Sequence, residues 1–216
     1  ANGAIDFATI FSRFDSALAK YNELHPNAPL TLSAKEIFFT ALGMAKMLLD
    51  LTPGVAGTID FATIFNRFDS AISTFNQGLP DSQKLSLTAK EQFLMALGLT
   101  NLELENIADP VKFKQYIDKL RAAAGADFTA LELFSLALRL TADQKKNLDA
   151  SDFASNIATI LGLGDGVQIP GLTLSRKDAF LMALNLNQTG RDNLRNPARL
   201  IADYTRLRLL GKDTTF

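Results

Sequence analysis

Apolar residues recur along this chain at helical spacing. After Ile5, the positions Phe7, Ile10, Phe11, Phe14 and Leu18 follow at intervals of 3, 1, 3 and 4, which places them on one face of a helix. That face returns further on: IDFATIFSRFDSA at 5–17 and IDFATIFNRFDSA at 59–71 agree at twelve of thirteen positions, at an offset of 54. A second pattern occurs four times, as Ser33-Ala-Lys-Glu36, Thr88-Ala-Lys-Glu91, Thr129-Ala-Leu-Glu132 and Ser175-Arg-Lys-Asp178. The phenylalanines Phe38, Phe93, Phe134 and Phe180 come two residues after these four segments, each followed by an Ala-Leu pair. Offsets of 55, 41 and 46 between the copies are those of a helical repeat array.

Each copy of the second pattern opens with a capping box. The hydroxyl accepts from an orphan backbone N–H, and the carboxylate three residues on reaches back and sits well against the positive end of the helix dipole. The Phe and Ala-Leu positions that follow form an apolar stripe, and the small Ala lets two helices approach. No stretch alternates with period two, so the chain is expected to be all-α, with about nine helices.

The first helices of four antiparallel hairpins are expected near 5–22, 58–76, 109–123 and 150–162, with partners near 33–50, 88–100, 129–141 and 175–187. Pro197, with Asn196 as its N-cap, opens a ninth, capping helix over about 196–211, stopped by Gly211. Pro26 with Pro29, Pro53-Gly54, Gly78 with Pro80, Gly125 and the run from Gly162 to Gly171 break the chain between helices. The expected organisation is a single helical-repeat domain over 1–216, with repeats at about 4–51, 57–101, 108–142 and 149–188. One such pair cannot bury its apolar face alone, so neighbours must stack, and stacked pairs wind into a superhelix with a concave side.

Composition narrows the chemistry. Of 216 residues, 47 % are hydrophobic and 21 % charged, an ordinary globular balance. With no cysteine and a single histidine, disulfides, thiolate metal sites, cysteine nucleophiles and multi-histidine metal sites are excluded. No nucleophile–base pair, Walker motif or zinc motif is present, so a non-enzymatic protein without a structural metal is expected. Gly162-Leu-Gly164-Asp-Gly166 follows a helix and leads into Val-Gln-Ile-Pro, which suits a connector rather than a phosphate loop. The best apolar stretch, Ile37–Leu51, is interrupted by Lys46 and Asp50, so no membrane insertion is expected. A start at Ala1 fits a secreted or cell-surface chain cut after small residues, and equally a trimmed one.

Candidate ligand-binding positions are few. His25 lies in the loop after the first helix, either simply solvated or serving as an axial ligand. Tyr21, Tyr116 and Tyr204 fall on expected helices, as amphipathic packers or as partners for ferric iron or a ligand carboxylate. Arg13 and Arg67 stand at equivalent repeat positions, either as surface charges or poised for ligand carboxylates. Most of the sixteen phenylalanines belong to the core, with some free to line a groove. Charge is uneven: residues 1–110 carry 7 basic and 12 acidic side chains, a net of −5, whereas 111–216 carry 15 and 11, a net of +4. The basic tail, which includes Arg191 and Arg195, lacks interleaved exposed aromatics; it suits small anions or an acidic partner better than nucleic acid.

The tandem hairpins with a closing helix resemble tetratricopeptide-like superhelices, though the repeat lengths differ and that family's Trp-Leu-Gly-Tyr pattern is missing. As an architecture the whole chain is similar to the HusA-type haemophores of the Porphyromonas haem-uptake system. That resemblance implies capture of haem or another porphyrin in an apolar groove and delivery to an outer-membrane receptor; it transfers no individual binding residue. A porphyrin is an apolar plate with two carboxylates and needs aliphatic or aromatic walls with a basic or hydroxyl edge. The rival expectation is a scaffold that holds a peptide or partner helix. A carrier should show an apolar groove with a basic rim, a scaffold a broad polar concave face.

Overall fold

The computed structural model describes residues 6–50, 59–164 and 172–196, with the isolated positions 169, 198, 201, 202 and 205. All of the regular structure among them is helical: α1 (Phe7–Leu24), α2 (Ala34–Gly43), α3 (Ala45–Asp50), α4 (Phe61–Asn76), α5 (Ala89–Leu97), α6 (Asn101–Asn106), α7 (Pro110–Ala124), α8 (Ala130–Arg139), α9 (Ala142–Asp149), α10 (Phe153–Gly164), α11 (Arg176–Leu184) and α12 (Gln188–Leu194). The all-α expectation holds, and the four long first helices lie where the apolar spacing put them. The capping helix expected over 196–211 lies mostly outside the described residues.

In one respect the structure differs from the expected hairpins. Each partner helix is divided in two, so the repeat is a trio of one long and two short helices. The expected helix over 88–100 stops at Leu97, and Thr100 starts α6 with a second capping box to Glu103. The expected helix over 129–141 likewise stops at Arg139, and Thr141 starts α9 with a capping box to Gln144. Asn187 caps α12 through the Gly190 N–H. A hydroxyl or amide that satisfies the first N–H groups of a new helix makes the chain's turn there cheaper than continuing the old one.

All four capping boxes read from the sequence are present, on Glu36, Glu91, Glu132 and Asp178. The long helices α1 and α4 share another device, in which Asp6 and Asp60 accept from the N–H groups of Thr9 and Thr63 at 3.0 and 2.9 Å. The repeat also extends into the loops. Asn22 clips the α1–α2 loop by accepting from Leu30 N at 2.7 Å and donating to Leu30 O at 3.0 Å. Asn76 does the same to Leu85 at 2.8 and 2.9 Å. Gly78, with φ of +77°, supplies the left-handed turn that follows α4.

The chain forms two compact units, residues 1–113 and 114–216. In the first, α1 packs against α2, α3, α4 and α5, and α4 against α5. Its centre is aromatic: Phe93 of α5 meets Phe14 edge-on at 5.6 Å, Tyr21 edge-on at 5.4 Å and stacks on Phe65 at 5.7 Å. All four rings are 0–1 % exposed. In the second unit α10 packs against α9, α11 and α12, and α9 against α11. There Phe180 meets Phe128 and Phe153 edge-on at 5.2 and 5.7 Å.

Near-identical sequences are buried to different extents. Phe61 is 6 % exposed, but Phe7, its counterpart in α1, is 47 % exposed. Phe93, Phe134 and Phe180 are fully buried, whereas Phe38, at the same place in the first copy, is 47 % exposed, with Phe11 and Phe39 as its ring neighbours among the described residues. Phe93 is covered by Phe14 and Tyr21 of the first copy, and among the described residues Phe38 has no such pair of rings from another copy.

Candidate ligand-binding groove

The sequence candidates are placed apart. Arg13, half-buried, donates from Nη1 to the Leu48 carbonyl of α3, a packing role. Its counterpart Arg67 is exposed and makes no hydrogen bond or ion pair among the described residues. Tyr21 is buried in the aromatic core, and that burial, helped by Asp69, pushes its hydroxyl above the ordinary tyrosine pKa. Tyr116 belongs to the second unit, where its hydroxyl faces Asp149 at 3.4 Å and the ammonium groups of Lys119 and Lys145 lie 5.3 and 5.4 Å from its ring. Burial first, then Asp149, raises the Tyr116 pKa. Tyr204 lies outside the described residues.

His25 is not a bare loop residue. Its Nδ1 lies 2.8 Å from the Tyr21 carbonyl and its Nε2 2.9 Å from Asp69 Oδ2, while its ring stacks on Tyr21 at 4.1 Å. Asp69 also accepts from Gln92. Both imidazole nitrogens therefore face oxygen acceptors, and the ring ties the α1–α2 loop to α4 and, through Asp69, to α5. Tyr21 and His25 are brought together; Arg13 and Arg67 do not join them in one site, and Tyr116 belongs to the second unit.

An apolar groove of about 410 Å³ lies instead between α8 and α11. Phe128, Leu131, Leu136 and Leu181 form its apolar walls, and Ser135 lies between them. Its charged lining is Arg139, Lys177 and Glu132, two cations to one carboxylate. Lys177 pairs with Glu132 and sits 4.9 Å over the Phe128 ring. The Lys177 hydrogen bond, with the Thr129 N–H, holds the Glu132 carboxyl down at about 2.

Repeat register shows what opens this groove. At the equivalent positions the first copy has Lys35 for Leu131, Phe39 for Ser135, Thr40 for Leu136 and Gly43 for Arg139. The third copy thus replaces a bulky ring by a small hydroxyl, makes two wall positions aliphatic and adds a cation at the C-terminal end of α8. The sequence carried this signal in the repeated pattern, where Thr129-Ala-Leu-Glu132 is the one of the four copies with Leu in place of a lysine. Without the groove's geometry nothing gave that change a meaning.

Among the described residues no cluster of three or more acidic or histidine side chains is arranged to hold a metal ion. No described helix is long and apolar enough to cross a membrane. Comparison with known protein families, characterised proteins and solved structures finds no match, so the groove is interpreted from its geometry.

Proposed function

We propose that this chain is a non-enzymatic carrier that holds haem or a related porphyrin in the groove between α8 and α11 for delivery to a receptor. The observation that carries the reading is the groove itself: aliphatic walls from Leu131, Leu136 and Leu181, opened by Ser135, with Arg139 and Lys177 for an acidic edge. Its volume of about 410 Å³ falls among small-molecule sites, which run from roughly 300 to 1,000 Å³. The aliphatic walls suit the macrocycle face, and a guanidinium suits a propionate as a bidentate partner. Among the described residues no histidine or tyrosine lines the groove, so recognition rests on the macrocycle rather than on iron. His25, with both nitrogens facing oxygens, is not needed as an axial ligand under this reading. Secretion and an outer-membrane receptor belong to the same proposal.

The test is a visible-absorbance titration with haem and, in parallel, metal-free protoporphyrin. Both should bind saturably, and the double variant Leu131→Lys with Ser135→Phe, which restores the first copy's residues, should weaken both at least tenfold. Absence of binding to either porphyrin would overturn the carrier and leave a partner helix as the occupant of the groove.

A further inference from the structure

A second cavity in the same unit has the opposite character. It also measures about 410 Å³, lies between α9 and the α11–α12 junction, and shares no lining residue with the groove. Side-chain amides dominate its walls, with Leu184 and Leu186 as the apolar part. At its base Asn147 is 4 % exposed. The Asn147 Nδ2 group donates to the carbonyls of Leu184 and Leu186 at 2.9 and 2.8 Å, using both amide protons. Its Oδ1 is thereby left to face Arg191, which donates to it from Nη1. The guanidinium's other contact is the Gln188 Oε1 atom at 3.4 Å.

Arg191 is thus a half-buried cation oriented by a locked, buried amide, and both of its acceptors are neutral. No carboxylate pairs with it among the described residues. The nearest acid in sequence, Asp192, is engaged by Gln188 at 3.0 Å and by Arg195 at 3.5 Å. A guanidinium offers five N–H donors in a planar fork, of which the described residues use two, leaving three for a ligand. Lys146 also lines the cavity, and among the described residues Asp143 is its one carboxylate, so their cations outnumber their acids two to one. Gln144 and Asn185, bonded to each other at 2.9 Å, supply further amide donors and acceptors. A neutral polyol would leave the guanidinium unmatched, and a porphyrin face would strand the amides without partners.

We propose that this cavity binds a small hydrophilic oxyanion, a carboxylate or a phosphate, with Arg191 as its anchor and Lys146 as a second cation. The sequence's basic tail then has a specific use in Arg191, and the proposal stands or falls independently of the porphyrin reading.

Isothermal titration at low ionic strength with citrate, inorganic phosphate and sorbitol tests it. The wild type should bind citrate or phosphate saturably and ignore sorbitol; citrate alone identifies carboxylates and phosphate alone identifies phosphates. Arg191→Gln should weaken binding at least tenfold and Arg191→Lys less so, because Lys keeps the charge but loses the fork. Circular dichroism checks that these variants fold. If Arg191→Gln fails to fold, Lys146→Gln decides: weaker binding with a shallower salt dependence supports the site, and unchanged binding overturns it. Binding of neither anion, equal binding by Arg191→Gln, or sorbitol binding as strongly as citrate would each overturn it.

Discussion

Removing the same ring from two copies of the repeat should have very different costs. Phe93 is fully buried among Phe14, Tyr21 and Phe65, at ring-centre separations of 5.6, 5.4 and 5.7 Å. Truncating such a ring forfeits its transfer free energy and leaves a cavity, together about 3–5 kcal/mol. Three well-placed aromatic neighbours, each adding roughly 0.5–1.5 kcal/mol beyond area, put Phe93→Ala toward the upper end. Phe38 keeps 47 % of its surface in water, so it contributes about half of the roughly 1.5–3 kcal/mol for a fully buried phenylalanine. Solvent fills the gap it leaves, so Phe38→Ala should cost only about 1 kcal/mol.

The assay is urea unfolding followed by circular dichroism, with hydrogen exchange on α1 and α4 assigning the loss to the first unit. The two substitutions should differ by at least about 2 kcal/mol, well outside the error of extrapolation. Equal losses would refute the claim that the first copy's Phe14 and Tyr21 give Phe93 a burial that Phe38 lacks.

Two other consequences follow from the hydrogen bonds. Glu132 is held at about 2, first by Lys177 and then by Thr129, so its carboxylate stabilises the fold above the ordinary value of 4.5, and that contribution fades as pH falls from there toward 2. Lys177→Met should raise the Glu132 titration toward 4.5 in carbon-detected NMR and flatten the loss of melting temperature across that window; an unmoved titration would show that Lys177 is not the cause. Asn76→Ala removes both bonds to Leu85 and should cost about 1–3 kcal/mol, with lost exchange protection at the Leu85 amide as its signature. Undiminished protection there would mean that the loop is held by something else.

What the sequence made legible was local. The caps at Ser33, Thr88, Thr129 and Ser175 depend on residues three apart, and all four formed as read. The short helices α6 and α9 escaped because six and eight residues are too few for a periodic stripe, and their caps at Thr100 and Thr141 follow directly on the preceding helices. Burial was not legible at all where it depends on neighbours, since Phe7 and Phe61 share nearly the same local sequence. The candidate residues suffered from the same limit. Arg13 is spent on the Leu48 carbonyl and His25 on Tyr21 and Asp69, partners 35 and 44 residues away for the Arg13 and Asp69 contacts. Arg139 and Lys177 become one groove only when α8 and α11 pack side by side.

One position ties the repeat to the groove. In the second and fourth copies a lysine at the third place of the capping box reaches back to the preceding copy's glutamate, Lys90 to Glu36 at 2.6 Å and Lys177 to Glu132. Both pairs are well exposed, so their value lies in matching neighbouring copies rather than in stability. The third copy has Leu131 there, and the sequence therefore supplies no such lysine for Glu91. Leu131, 45 % exposed, is instead a wall of the apolar groove. Leucine in place of lysine at this position supplies apolar surface for a ligand. That change of surface is why placing lysine at 131, with Ser135→Phe beside it, is the sharpest perturbation of the proposed binding function.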